Sequence, residues 1–286
     1  MSTSFRHQAR STPDTVPMAP MGPPAAGKLR TQQLVCAGRT RRFVLYVPSG
    51  HDGRSALPLV LNLHGSTSYP EEQMMFSDMA RAADRHRVAV LAPEALERAW
   101  NVPEDPAAPD DVAFVAEAIA TAEGLLPTAS GGHCATGFSG GARMLARLAA
   151  GLPNPLRAIA PVAGIRFDSS CPPDRRPTVV AFHGTLDRVN PYDGGGYPYW
   201  QSGVEEAVQA WVRHNGLAAC ARRPHASVDV VHTVHGEGPG RVEFYRIDNL
   251  GHIWPGFPVR MGDLFDPPNP AVKAAEIMLE AFASVG

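Results

Sequence analysis

Nothing in this chain approaches the roughly 20 consecutive apolar residues of a membrane-spanning helix. Apolar runs such as Leu57 to Leu63 are short and are themselves broken, here by Pro58 and Asn62. Charge of neither sign dominates: 26 Lys+Arg face 28 Asp+Glu in 286 residues, with 44% hydrophobic and 19% charged residues. That balance excludes a disordered polyelectrolyte and gives no electrostatic case for a nucleic-acid partner or an anionic membrane. Cysteine is sparse, with four residues at the irregular positions Cys36, Cys134, Cys171 and Cys220, which fits neither a zinc pattern nor a disulfide-stapled miniprotein. There is no phosphate loop and no dinucleotide fingerprint. His232-Thr233-Val234-His235 is not a helical metal motif, so the expectation is no metal and no cofactor. Residues 1 to 28 have few large apolar side chains and carry Pro13, Pro17, Pro20, Pro23 and Pro24. They also lack the apolar core of roughly 7–15 residues that marks a signal peptide. They are expected to be a disordered tail without an export signal, which would leave an unprocessed chain in the cytoplasm. With no internal repeat and no second linker, residues 29–286 are expected to form a single domain, although about 150 residues per domain would have suggested two.

Past that tail the pattern becomes that of alternating strands and helices. Thr31 to Cys36 and Thr40 to Val47 meet at Gly38 and read as a hairpin. Leu57–Leu63, Val88–Leu91, His133–Thr136, Ala158–Val162, Thr178–Phe182, Val228–Val234 and Val242–Ile247 read as further strands, several of them apolar throughout, as burial on both faces requires. Helical spacing covers Pro70–Arg87, the stretch opened by Asp110 and Asp111, Ala142–Ala150, Gly203–Val212 and Pro270–Ala283. The fold class is therefore α/β, a mostly parallel central sheet with helices on both faces. In such a sheet, chemistry collects in the loops at the carboxyl ends of the strands.

Gly137-Phe138-Ser139-Gly140-Gly141 sits between an expected strand and an expected helix, as a nucleophile elbow does. The sharp turn lifts the serine hydroxyl above the sheet, and the small flanking residues let strand and helix approach. Chance alone produces G-x-S-x-G motifs, and a bare loop is the bland reading; the strand–turn–helix context argues against it. A serine needs a base, and the base needs an orienting group. Of 11 histidines, His252 alone lies in a turn-rich loop after the last expected strand, where the α/β-hydrolase order places the base. His64 and His183 each end a strand before a glycine. Asp187 follows a buried strand and is the preferred acid, with Asp193 and Asp248 as rivals. Arg188 beside it is expected to face solvent. An oxyanion needs two N–H donors, for which Gly140 and Ser66 in His64-Gly65-Ser66-Thr67 are the candidates. Trp100, Tyr192, Tyr197, Tyr199, Trp200, Trp254 and Phe257 fall in loops near this edge. Trp254, Tyr192 and Trp100 are candidates for substrate contact, although packing under long loops is the more usual role of such residues.

His64-Gly65-Ser66, the elbow, His183-Gly184-Thr185-Leu186-Asp187 and Gly251-His252-Ile253-Trp254-Pro255-Gly256 together resemble the polyhydroxybutyrate depolymerase/feruloyl esterase family of α/β-hydrolases, over about residues 31 to 284. Asp110-Asp111-Val112-Ala113-Phe114 resembles that family's helix start. The resemblance implies Ser139 as nucleophile, Asp187 as acid, His252 as base, and the Ser66 and Gly140 amides as oxyanion hole. It also implies an extracellular or periplasmic location. The family often has cysteines where this chain has Ser66 and Leu217. That leaves Cys171 and Cys220 as candidates for a bridge and Cys134 as a buried thiol. The expected activity is cofactor-free serine ester hydrolysis on a small-molecule or polymeric ester, feruloyl or acetyl esters or aliphatic polyesters. No substrate-anchoring domain is evident, which favours soluble esters. A peptidase on the same fold and a non-catalytic binding protein are the alternatives. The first would be expected to carry a gating domain and the second to have lost a triad position. Oligomeric state is not legible.

Overall fold

The computed structural model describes residues 25–102, 105–195, 197–218, 220–257 and 272–285. Ten described strands form one sheet: β1 (Lys28–Cys36), β2 (Arg39–Val47), β3 (Leu59–Leu63), β4 (Ala89–Pro93), β5 (Cys134–Phe138), β6 (Ala158–Val162), β7 (Thr178–Gly184), β8 (Cys220–Arg223), β9 (Val230–His235) and β10 (Val242–Ile247). Their order is β1-β2-β4-β3-β5-β6-β7-β10-β9-β8. The run β4-β3-β5-β6-β7-β10 is parallel, and antiparallel strands flank it on each side. The central strands β3 to β7 are buried along their whole length, which is why their sequences are mostly apolar rather than alternating.

Helices α1 (Pro70–Phe76), α2 (Met79–His86), α3 (Asp111–Leu125), α4 (Gly140–Gly151), α5 (Val204–His214) and α6 (Ala274–Ala283) cover the sheet. Side-chain alternation along β2 shows how the two faces divide. Phe43 and Leu45 join Leu61, Phe114, Leu145 and Trp211 in one core, and Val44 and Tyr46 join Met79, Phe182, Met278 and Phe282 in the other. Full burial of each such large apolar side chain contributes on the order of 1.5–3 kcal/mol. Among the described residues, no helix is long and apolar enough to cross a membrane.

Several details differ from the sequence reading. The expected tail ends sooner. Ala26 N–H donates to Asp84 and Gly27 N–H to the Tyr46 hydroxyl, and Lys28 already pairs with Val47 in the sheet. Residues 1–24, like the expected helix start at Pro270, lie outside the described residues. The single helix expected over Pro70–Arg87 is two, because Asp78 takes a left-handed φ of 55° and ends the ladder between them. The exposed edge strand β8 has no apolar face and so carries no periodic signal. All four cysteines are free, Cys220 exposed and the others buried, so the Cys171–Cys220 bridge is not formed. Asp110 caps α3 as expected, accepting from Ala113 N–H at 3.0 Å. Asp111 instead turns inward to a buried ion pair with Arg41 at 2.6 Å and also accepts from Asn101 N–H.

Candidate active site

The elbow is built by close approach of backbone. Ser139 sits between β5 and α4 at φ 52°, ψ −113°, a conformation that costs a non-glycine residue of order 1–3 kcal/mol and persists only where the surroundings impose it. They do impose it. Ser139 N–H donates to Val162 O at 3.0 Å and Ser139 O accepts from Arg143 N–H at 3.0 Å. A Cβ on Gly137 would fall 2.7 Å from the Gly141 carbonyl carbon, and one on Gly141 would fall 2.5 Å from Leu63 O. Backbone occupies both positions and cannot yield, so the small residues of the motif are set by packing.

Asp187 and His252, 65 residues apart in sequence, meet in the interior: His252 Nδ1 lies 2.7 Å from Asp187 Oδ2, with both side chains almost fully buried. The loop after β7 holds the acid in place through N–H donation from Val189 (2.9 Å) and Asn190 (2.7 Å) to Oδ1. Burial alone would raise the Asp187 carboxyl, but hydrogen bonds from His183 and His252 outweigh it and hold the group well below the usual carboxylate range. The groups facing its oxygens are N–H donors, which favours the ionised form. The His252 ring packs on Phe138, the residue before Ser139, with ring centroids 4.9 Å apart. That contact brings the imidazole to the elbow.

On the other side of Ser139 stands the loop after β3. A Cβ on Gly140 would clash with Ser66 Oγ and lie 3.1 Å from Ser66 N, so the two residues border one small space. Gly140 opens α4, where its N–H precedes the helix's own ladder. Ser66 N–H has no acceptor among the described residues. His64, one of the rival histidines, anchors this loop. Its Nε2 accepts from Ala95 N–H at 3.0 Å, and Trp100 Nε1–H donates to its carbonyl at 2.8 Å. Nε2 as an acceptor places the ring proton on Nδ1, 2.7 Å from Gly65 O, and burial also lowers the His64 pKa from its ordinary value. The other rival, His183, has Nε2 3.3 Å from Asp187 Oδ2 and 2.9 Å from Asn190 O, so it supports the acid. Of the rival acids, Asp248 pairs with Arg246 at 3.0 Å, while Asp193 and the neighbouring Arg188 are exposed.

The aromatic candidates for substrate contact differ in exposure. Trp254 and Trp100 are buried, and the Tyr192 hydroxyl is engaged by Glu205 at 2.6 Å. Tyr197 is exposed instead, stacked on Tyr199 at 5.2 Å. Two residues at this edge escape the sequence reading, Arg143 on α4 and Arg166 after β6. A cation one helical turn past the elbow with no acid at i±4 was the available signal. No group of three or more His, Cys, Asp or Glu that could hold a metal occurs among the described residues.

No protein-family model matches the chain. NocK of Nocardia uniformis subsp. tsuyamanensis, a protein named as an esterase by assignment, is 30% identical over 273 residues, covering 83% of this chain and 78% of that one. Feruloyl esterase B of Piromyces equi is 29% identical over 194 residues, covering 62% of this chain but only 36% of its own length. Among solved structures, an acetyl xylan esterase from Aspergillus awamori superposes with a TM-score of 0.56 at 16% identity, over 81% of this chain and 96% of that one. An S-formylglutathione hydrolase from Agrobacterium tumefaciens gives 0.57 at 12% identity, over 93% and 98%. At such identities these two report the fold, α/β-hydrolase, and the identity to NocK reports the family. The chain belongs to the esterase family of α/β-hydrolases.

Proposed function

We propose that this protein is a serine carboxylic-ester hydrolase working through an acyl-enzyme on Ser139, with His252 as base and Asp187 as its orienting acid. The observation that carries the reading is the buried His252 Nδ1–Asp187 Oδ2 contact of 2.7 Å, with the His252 ring packed on Phe138, next to a serine held at an otherwise costly φ of 52°. With Nδ1–H bound to the carboxylate, the imidazole is fixed in the tautomer whose Nε2 can accept a proton. Ser139 Oγ attacks the ester carbonyl carbon as its proton passes to His252 Nε2. The new oxyanion is received by the N–H groups of Ser66 and Gly140, and Asp187 stabilises the imidazolium. Collapse breaks the ester C–O bond, and the imidazolium returns its proton to the departing alkoxide. Water then repeats the sequence on the acyl-enzyme and releases the acid.

The resemblance to feruloyl esterases and polyhydroxybutyrate depolymerases, and the names of the relatives above, support carboxylic esters of plant cell-wall or polyester type. We favour soluble esters. 4-Nitrophenyl butyrate and methyl ferulate are therefore expected to be cleaved faster than a polyhydroxybutyrate suspension. The reading is tested with 4-nitrophenyl butyrate: Ser139→Ala should lower kcat on the order of 10⁶-fold, as removal of the nucleophile does in other triads. Activity near that of the wild type would overturn it.

A further inference from the structure

Shielded guanidinium groups in this fold generally end on acceptors that match them. Arg41 meets Asp111, Arg42 meets Glu71 and Glu94, and Arg241 meets Glu243. Arg175 closes α4 by donating to the carbonyls of Ala149, Ala150 and Leu152. Arg143 and Arg166 break the pattern. Both are half-buried, and neither has a carboxylate partner among the described residues. Arg143 Nε is buried with no hydrogen-bond partner, and its guanidinium lies 4.4 Å over the Tyr199 ring. Arg166 donates a single hydrogen bond, to Tyr199 O, and sits 5.5 Å from the Trp200 ring centroid. Each guanidinium offers five N–H donors, so most of this donor capacity is unspent. Burial lowers the pKa of both groups; for Arg143, Tyr199 acts the other way and the nearby charge of Arg166 lowers it further. A cation withdrawn from water without a counter-charge is costly, and a ligand that brings the charge removes the cost.

Arg143 borders the nucleophile, and Arg166 lies close enough for its charge to act on Arg143. Arg143 is one turn into α4, and its terminal nitrogen lies 3.5 Å from the point a Gly140 Cβ would occupy, the same point that is 3.1 Å from Ser66 N. Arg166 lies in the loop after β6, four residues past Val162 and two after Gly164, whose own Cβ would fall 2.5 Å from Ser139 O. Tyr199 joins them, and Tyr197, 44% exposed and stacked on it, continues an aromatic wall to solvent. The planar donor fork of arginine fits a carboxylate through two parallel hydrogen bonds.

Resting on the ester-hydrolase reading above, we propose that Arg143 and Arg166 form a carboxylate-binding subsite beside Ser139, so that the preferred substrates are acidic esters, either half-esters of dicarboxylic acids or aryl esters bearing a free carboxylate. Two matched pairs test this on the full chain. In 4-acetoxybenzoate against 4-acetoxybenzamide the charge is on the leaving group. In 4-nitrophenyl hydrogen adipate against its terminal amide it is on the acyl chain. At low salt the acid should exceed its amide by about tenfold or more in kcat/KM in at least one pair, the scale of a charge-assisted bidentate contact. The preference should shrink at about 0.5 M salt. Within Arg166→Gln, and within Arg143→Gln, the acid-to-amide ratio should fall to about two or below. Because each ratio is internal to one variant, Arg166→Gln suffices if Arg143→Gln does not fold. A wild type that cleaves the amides with a ratio near one overturns the subsite and leaves the hydrolase reading standing. An unchanged ratio in the variants overturns the assignment to these arginines. If none of the four esters is cleaved and Ser139 takes no fluorophosphonate label, the hydrolase reading fails and the subsite fails with it.

Discussion

Replacing Asp187 by Asn separates two roles the carboxylate could have. An asparagine can keep Oδ1 for the Val189 and Asn190 N–H groups, 2.9 and 2.7 Å away, so the loop after β7 keeps its anchor. It places an NH₂ where Oδ2 now faces His252 Nδ1 at 2.7 Å. Two donors cannot share that contact, so the imidazole must present a bare Nδ1 and carry its proton on Nε2, the atom that has to receive the Ser139 proton. If Asp187 merely held the ring in place, the loss would be that of one charged hydrogen bond, about 1.5–3 kcal/mol or roughly 10- to 150-fold. If it fixes the tautomer and stabilises the imidazolium, kcat should fall about 10⁴-fold, as this exchange does in other serine triads, or about 5.4 kcal/mol at 1.36 kcal/mol per decade. The assay is kcat for 4-nitrophenyl butyrate, with thermal unfolding to confirm that the variant folds. Asp248→Asn is the control. Its carboxylate serves Arg246, and kcat should stay within about threefold of wild type, as is usual for a surface ion pair. A fall of less than about 100-fold for Asp187→Asn, or an equal fall for Asp248→Asn, would refute the reasoning.

Three further outcomes test the scaffold. Asp111→Ala leaves the Arg41 guanidinium, paired at 2.6 Å and about 2% exposed, as an unpaired buried charge. Urea unfolding should show a loss of about 3–5 kcal/mol, and a loss under about 1 kcal/mol would contradict the burial of this pair. Thiol titration with Ellman's reagent should count one reactive cysteine in the folded protein, the exposed Cys220, and four after unfolding. Cys134 is withheld by burial, which pushes its thiol up to about 12. Counts of zero and two would restore the Cys171–Cys220 bridge. Burial, with the hydrogen bond to Asp84 adding to it, pushes the Tyr46 phenol up to about 12. With the folded value raised, its stabilisation is complete below the unfolded value near 10 and is lost as pH rises towards 12. Tyr46→Phe should therefore remove phenolate absorbance near pH 12; loss of a step near pH 10 instead would contradict the assignment.

What was legible in the sequence follows from which contacts are local. The apolar runs that became β3 to β7 announce strands buried on both faces, and the elbow announces itself because its small residues are dictated by one turn of backbone. Chain order pointed to His252, while Asp187 was preferred for its place after a buried strand and order alone left Asp193 and Asp248 as rivals. The break at Asp78 was visible only as a polar pair, Ser77-Asp78, inside an otherwise helical stretch. Strand β8 had no apolar face to read. The attachment of Ala26 and Gly27 depends on Asp84 and Tyr46, partners that only the fold brings near. Arg143 and Arg166 went unread, and the one local hint was the absence of an acid four residues either side of Arg143. Their lack of acidic partners elsewhere in the fold is a property of three-dimensional surroundings, which that local hint does not reach.

The central claim is that Ser139 is an activated nucleophile. The most direct measurement is treatment of the folded protein with a fluorophosphonate, followed by intact-mass analysis and peptide mapping. One adduct per chain is expected, on the peptide containing Ser139, and it should be absent in Ser139→Ala and strongly slowed in Asp187→Asn. An unlabelled wild type, or an adduct that maps to another residue and persists in Ser139→Ala, would contradict the account.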